Sequence, residues 1–124
     1  MTADLRLGSG FDVHALTAPG PLLLGGVRIP WDKGLAGHSD ADVLLHAVCD
    51  ACLGAVGLGD IGRHFPPGDA AYRNIDSRIL LRQVAQMARA AGYAVSNLDC
   101  TLLAQRPRLA PYTCLLYTSD AADE

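Results

Sequence analysis

The sequence predicts a single α+β domain, a mixed β-sheet with helices packed on one face. Three observations carry that prediction. Two long stretches repeat apolar residues every three or four positions, shorter stretches alternate them, and a Gly-Gly pair separates two of the short runs. The 124 residues, half of them hydrophobic and 19% charged, suffice for one buried core and no second domain. Ten Lys and Arg against thirteen Asp and Glu leave a net charge of -3, without the basic excess of a general nucleic-acid binder. Apolar runs such as Pro21–Gly26 fall far short of the ~20 residues a membrane helix needs. Met1–Arg6 shows no basic stretch leading into an apolar one, so a cytoplasmic chain with no membrane and no nucleic-acid partner is expected.

The elements follow in order. Leu5–Gly10 alternates apolar and small residues and reads as a first strand, leading into Phe11-Asp12-Val13-His14. Pro21–Pro30 reads as two short strands around Gly25-Gly26, a hairpin signal. A Gly-rich loop, Lys33–Gly37, then reaches His38-Ser39-Asp40. From Asp40 to Val56, Val43, Leu44, Ala47, Val48, Ala51 and Ala55 recur with helical spacing, Ser39 and Asp42 resemble a capping box, and Gly57 and Gly59 end the helix. The loop from Gly59 to Asp69 is too rich in Gly and Pro for regular structure. A second helix runs from about Ser77 to Ala91, with Leu80, Val84, Met87 and Ala91 as its buried stripe, Asp76 or Ser77 as cap and Gly92 as stop. Tyr93–Gln105 reads as a last strand, with Leu98, Cys100, Leu102 and Ala104 on one face.

Several groups can do chemistry. Cys49-Asp50-Ala51-Cys52 has the spacing of redox and zinc pairs, but no second pair follows. It lies mid-helix, away from the helix N-terminus that lowers a thiol pKa, so these cysteines read as small hydrophobes. In Asp12-Val13-His14 an extended backbone puts the acid and the imidazole on one face. His38, Asp42 and His46 are spaced by four, one row of a helix that begins just after His38. Two imidazoles and a carboxylate from these segments would satisfy a catalytic zinc and leave its fourth position open. The same residues also suit surface or core histidines and, for Asp42, a helix cap; spacing leaves both readings open. His64 has no such pairing and reads as exposed. The segments Asp60-Ile61-Gly62 and Phe65–Asp69 can hold a hydroxylated or phosphorylated ligand, or simply turn the chain. Arg106 and Arg108, at the end of the last strand, can pair with phosphate or remain solvated.

Order and identity together go further. Gly10-Phe11-Asp12-Val13-His14, Leu24-Gly25-Gly26-Val27-Arg28-Ile29-Pro30, Gly37-His38-Ser39-Asp40-Ala41-Asp42-Val43, Leu45-His46-Ala47, Leu58-Gly59-Asp60-Ile61-Gly62 and His64-Phe65-Pro66-Pro67 are successive signatures. They resemble those of the 2-C-methyl-D-erythritol 2,4-cyclodiphosphate synthase family, from about Leu5 to Tyr112. The resemblance implies a lyase of the non-mevalonate isoprenoid pathway. In that reaction the 2-phosphate of 4-diphosphocytidyl-2-C-methyl-D-erythritol 2-phosphate attacks the β-phosphorus, closing the cyclic diphosphate and expelling CMP. No protein nucleophile is needed, in keeping with the lack of an obvious Ser or Cys triad.

The resemblance also implies roles. Asp12, His14 and His46 match ligands of Zn2+ or another divalent cation, and His38 matches the catalytic residue that positions a substrate phosphate. The implied substrate contacts include Asp12, His14, His38 and the adjacent Ser39. Asp60, Ile61 and Gly62, with Phe65, Pro66, Pro67, Gly68 and Asp69, match contacts to the methylerythritol part. Ala104, Gln105, Arg106, Pro107, Arg108, Leu109 and Ala110 match the cradle of the cytidine end. Mg2+ or Mn2+ at the diphosphate is implied as well. So are homotrimers, in which one chain supplies zinc and sugar contacts and its neighbour the cytidine contacts.

Two departures shape the remaining expectations. The family chain continues for about one further helix and one or more strands, a modest part of an ordinary domain. That part carries a Thr-Thr-Glu-like motif, whose glutamate helps bind the second metal, and the motif is missing here. Residues 114–124, CLLYTSDAADE, resemble the translated read-through of a sequencing-library adapter. The expected organisation is thus an incomplete synthase domain over 1–113, cut before its last helix and strand, and a non-native tail over 114–124. A chain so shortened is expected to turn over poorly. The alternatives are a non-catalytic zinc-binding fragment and a zinc phosphoesterase with Asp42 as its base.

Overall fold

Helical periodicity and the Gly-Gly hairpin both materialise, and they meet. The computed structural model describes residues 4–37 and 39–112; the expected tail at 114–124 and His38 lie outside the described residues. Strands β1 (Ala18–Pro19), β2 (Leu22–Leu24), β3 (Val27–Ile29) and β4 (Lys33–Gly34) form two antiparallel pairs, β2 with β3 and β1 with β4. Gly25 and Gly26, with φ of 58° and 77°, make the tight turn between β2 and β3. Both central residues of such a turn need positive φ, which is why glycine occupies them.

Helix α1 (Val43–Ala55) follows, then the single turn α2 (Ile61–His64), a 3-10 turn at Ala70–Tyr72, helix α3 (Ser77–Ala90) and a 3-10 turn at Ala110–Tyr112. α1 packs against α3 and against β2. Leu22, Leu24 and Ile29 from the hairpin, Leu45, Val48 and Leu53 from α1, and Leu80 and Val84 from α3 close one core. Among the described residues no helix is long and apolar enough to cross a membrane.

The α+β class and single domain stand, with differences in detail. Where one mixed sheet was expected, the described strands form two separate antiparallel pairs. Neither 5–10 nor 93–105 joins a ladder among the described residues. The first segment packs on a helix. It lies on the backbone of α1, where a Cβ at Gly8 would come within 1.8 Å of the Ala51 carbonyl oxygen and one at Gly10 within 1.9 Å of that of Ala47. Those glycines serve close approach to a helix. In the second segment Leu98 and Leu102 pack on the core while Cys100 and Ala104 are exposed, a spacing of four that breaks the expected alternation. α1 starts at Val43 with Asp42 as its N-cap, so the Ser39 capping box does not form; α3 is capped by Asp76.

Leu45 has no exposed surface and sits at the centre of the core. Leu45→Ala is expected to cost about 2–5 kcal/mol in urea unfolding, whereas exposed Arg82→Ala should change stability by less than about 0.5 kcal/mol. Equal small losses for the two variants would contradict this packing.

Candidate metal centre

Three side chains from two segments converge. The extended chain through residues 10–20 alternates inward and outward positions, so Asp12 and His14 both face in. One turn into α1, His46 points at them and is 2% exposed. Asp12 Oδ2 lies 3.1 Å from His14 Nε2 and 3.4 Å from His46 Nδ1. One ligand atom from each residue falls within 4.8 Å of the others, spacing that one metal ion can bridge. The two rings meet edge to face at 5.3 Å between centroids.

The donor chemistry fits a divalent ion. His14 Nδ1 is 2.9 Å from the Ala41 carbonyl oxygen, which only accepts, so Nδ1 is the donor there and Nε2, on the Asp12 side, is the nitrogen a metal would take. His46 Nε2 is engaged by Ser77 Oγ at 2.9 Å and Ser39 Oγ at 3.0 Å, leaving Nδ1 on the Asp12 side. Far-nitrogen partners of this kind orient metal-bound imidazoles. Burial, reinforced by the nearby His14, holds the His46 pKa below its ordinary value against the pull of Asp12 and Asp40. The neutral ring that results is the form that binds metal.

The loop ahead of α1 is tightly shaped around these rings. Ser39 and Ala41 adopt φ of 56° and 60°, a left-handed conformation that costs about 1–2 kcal/mol for a residue with a Cβ. Gly37 lies against the His14 ring, where a Cβ would approach Cε1 to 3.0 Å. Asp42 does not join the metal cluster. Its carboxylate accepts from the backbone N–H groups of Gly25 at 2.9 Å, Gly26 at 2.7 Å and Leu45 at 3.1 Å. The expected His38–Asp42–His46 row therefore divides: Asp42 caps the helix, His46 faces Asp12, and His38 lies outside the described residues.

The remaining predicted residues are spread out. A cavity of about 620 Å³ is lined by Asp12 and His14 together with Ala104, Gln105, Arg106 and Leu109, while Leu22, Leu24 and Leu102 line it with apolar surface. None of residues 60–69 lines it. Asp60 caps α2, and the Ile61 N–H donates to Asp50 Oδ1 at 2.9 Å. Phe65 is buried and packs edge-on against Tyr72, whereas Gly62, Pro66, Pro67, Gly68 and Asp69 are exposed. Pro107 is buried; Arg108 and Ala110 are exposed. His64 is partly buried and its Nε2 lies 2.7 Å from the Leu58 carbonyl oxygen, contrary to the expected free side chain. Burial pushes the Cys49 thiol far up, away from redox chemistry. Sequence reasoning missed Asp40 and Ser77 as neighbours of the site; no local pattern links positions so far apart.

Comparison with known proteins gives the family. The YgbB family profile matches residues 5–119. The chain is 61% identical over 107 residues to the 2-C-methyl-D-erythritol 2,4-cyclodiphosphate synthase of Geobacillus sp. (strain WCH70), spanning 86% of this chain and 68% of that protein. It is 58% identical over 121 residues to the synthase of Thiobacillus denitrificans, spanning 98% and 75%. The fold resembles the bifunctional IspDF of Campylobacter jejuni, with a TM-score of 0.91 and 42% identity over 95% of this chain and 32% of that one. A 2C-methyl-D-erythritol-2,4-cyclodiphosphate synthase in its CDP-bound form matches with a TM-score of 0.80 and 37% identity, over 95% and 79%.

Burial raises the Asp42 pKa from 3.8 to about 6, against the three backbone donors and with help from the charge of Asp40. An acid whose folded pKa exceeds its unfolded value stabilises the fold fully below the lower value and loses that contribution as pH rises through the upper one. Asp42→Asn cannot ionise. Between pH 3.5 and 7 the stability of the wild type should therefore fall relative to Asp42→Asn by about 3 kcal/mol. Parallel urea-unfolding profiles would refute this.

Proposed function

Because the chain belongs to the YgbB family, that of the 2-C-methyl-D-erythritol 2,4-cyclodiphosphate synthases, lyases of non-mevalonate isoprenoid biosynthesis, we propose that Asp12, His14 and His46 hold the divalent ion its chemistry requires. The observation that carries this reading is the convergence of Asp12 Oδ2, His14 Nε2 and His46 Nδ1, with the far nitrogen of each imidazole already engaged. The donor set, two imidazoles and a carboxylate, suits Zn2+. When bound, the ion polarises a phosphoryl oxygen and offsets the charge that gathers as two anionic groups approach.

The protein's own part is to bind and align the substrate, here 4-diphosphocytidyl-2-C-methyl-D-erythritol 2-phosphate. Attack of one phosphate on the next, with CMP leaving, needs the reacting atoms close and in line, which fixed side chains supply. Asp12 and His14 border the 620 Å³ cavity, so a phosphate bound there meets the cluster from its open side. His38 and Ser39 are assigned to the phosphate, and Asp60, Ile61 and Gly62 with the segment from Phe65 to Asp69 to the methylerythritol part. Ala104 to Ala110 is assigned to the cytidine end, where the exposed Arg106 and Arg108 add positive charge. Mg2+ or Mn2+ at the diphosphate and a cytoplasmic setting complete the reading.

Assembly as a homotrimer is part of the same proposal. Leu5, Leu7, Phe11 and Val13, the outward positions of one extended segment, are 84%, 97%, 81% and 71% exposed. Exposed apolar side chains gathered on one segment, interrupted only by Ser9, support an interface there.

Two measurements test these assignments. Asp12→Ala, His14→Ala and His46→Ala should each weaken zinc binding on the order of a hundredfold or more, since even groups behind the ligands contribute ten- to hundredfold; His64→Ala should retain its zinc. Zinc retained by all three variants sinks the metal assignment. Sedimentation equilibrium should return three times the chain mass for the wild type and a lower mass for Leu7→Lys. A wild-type monomer ends the trimer assignment.

A further inference from the structure

Resting on the metal reading above, we propose that Ser77, anchored by Asp40, is a positioning residue: it fixes His46 as the tautomer protonated on Nε2 and thereby aims the bare Nδ1 at the metal. The two hydroxyls near His46 Nε2, Ser77 Oγ at 2.9 Å and Ser39 Oγ at 3.0 Å, can each donate or accept. Those contacts by themselves leave the tautomer open. Asp40 closes it. Its carboxylate only accepts, and it takes the hydroxyl proton of Ser77 on Oδ1 and the Ser77 backbone N–H on Oδ2 at 2.8 Å. With its single proton committed there, Ser77 Oγ presents lone pairs to Nε2 at 2.9 Å, a normal hydrogen-bond length, whereas the competing acceptor, Asp12 Oδ2, stands 3.4 Å from Nδ1, beyond that range; the geometry places the ring's proton on Nε2. Protons therefore point in one direction, from His46 to Ser77 to Asp40, and Nδ1 is left facing Asp12 Oδ2 at 3.4 Å.

Three further observations support the assignment. Ser77 is the first residue of α3, but the cap of that helix is Asp76, so the hydroxyl of Ser77 is not consumed by capping. Ser77 is 0% exposed and His46 2%, which keeps bulk water from competing for the contact. Asp40 is itself fixed: its N–H donates to the Ile75 carbonyl oxygen at 3.1 Å, and Oδ1 also accepts from the Asp42 N–H at 3.1 Å. The carboxylate that commonly backs a metal-bound imidazole is thus present, with a hydroxyl spanning the gap.

Nitrogen-15 shifts of His46 in the metal-free full chain read the tautomer directly. The expected result is a protonated Nε2 and a bare Nδ1. A protonated Nδ1, or an even mixture of the two, overturns the proposal whether or not any variant folds. Ser77→Ala is expected to populate both tautomers and to weaken Zn2+ binding, measured by competition with a chelating dye, by about ten- to hundredfold. Ser77→Thr keeps the hydroxyl and is expected to restore both readouts. Wild-type affinity with a single Nε2–H tautomer in Ser77→Ala overturns the proposal and leaves the metal reading standing. Failure of the wild type itself to bind Zn2+ ends the metal reading, and this inference with it.

Discussion

The carboxylate of Asp42 is the joint on which the rest of the molecule turns. It is fully buried and accepts three backbone N–H groups, two from the β2–β3 turn and one from the first turn of α1. A tight glycine turn and a helix N-terminus both present N–H groups that need an acceptor. One side chain satisfies both, and so ties the hairpin to the helix. Since His46 lies one turn further along, the same contact sets the height and rotation at which its ring meets Asp12 and His14. The elevated pKa of Asp42 is the cost of placing a carboxylate so deep.

From that joint the strain in residues 39–41 becomes intelligible. Two non-glycine residues in left-handed conformation persist only where the surroundings over-determine them. Here Asp40 is pinned to the start of α3, Asp42 to the hairpin, and between them the Ala41 carbonyl is turned toward His14 Nδ1. The loop therefore fixes one imidazole by a carbonyl and the other by Ser77, two different acceptors reached from four consecutive residues. Rigidity of this kind holds metal ligands within the narrow tolerance that coordination requires.

How much of this was legible in the sequence depended on the range of the interaction. Both long helices were, because a stripe such as Leu80 and Val84 is a local pattern, and the hairpin was, because Gly25-Gly26 encodes its turn. Asp12, His14 and His46 were legible as candidates through two local spacings, though only the fold brings them together. Asp42 was ambiguous for a physical reason: a carboxylate four residues before a histidine suits a ligand row and a helix cap equally well, and the approach of Gly25 and Gly26 decides between them. The strands expected at 5–10 and 93–105 failed because alternation describes a face, whereas a strand also needs a partner for its ladder. Ser77 was hidden entirely, since its partner Asp40 lies 37 residues away in the chain.

The three donors also differ in how far they reach toward solvent, and the order has a consequence. His46 has a side chain 3% exposed, His14 12% and Asp12 27%. The most buried donor is the one locked by a hydroxyl network, and the most open is the carboxylate, whose charge is the least costly to leave near water. Asp12 and His14 line the large cavity and His46 does not. From this cavity a ligand meets the Asp12–His14 edge, with His46 behind it as the fixed post. That asymmetry lets one site combine a preorganised anchor with an accessible face, which a donor set buried to equal depth could not offer.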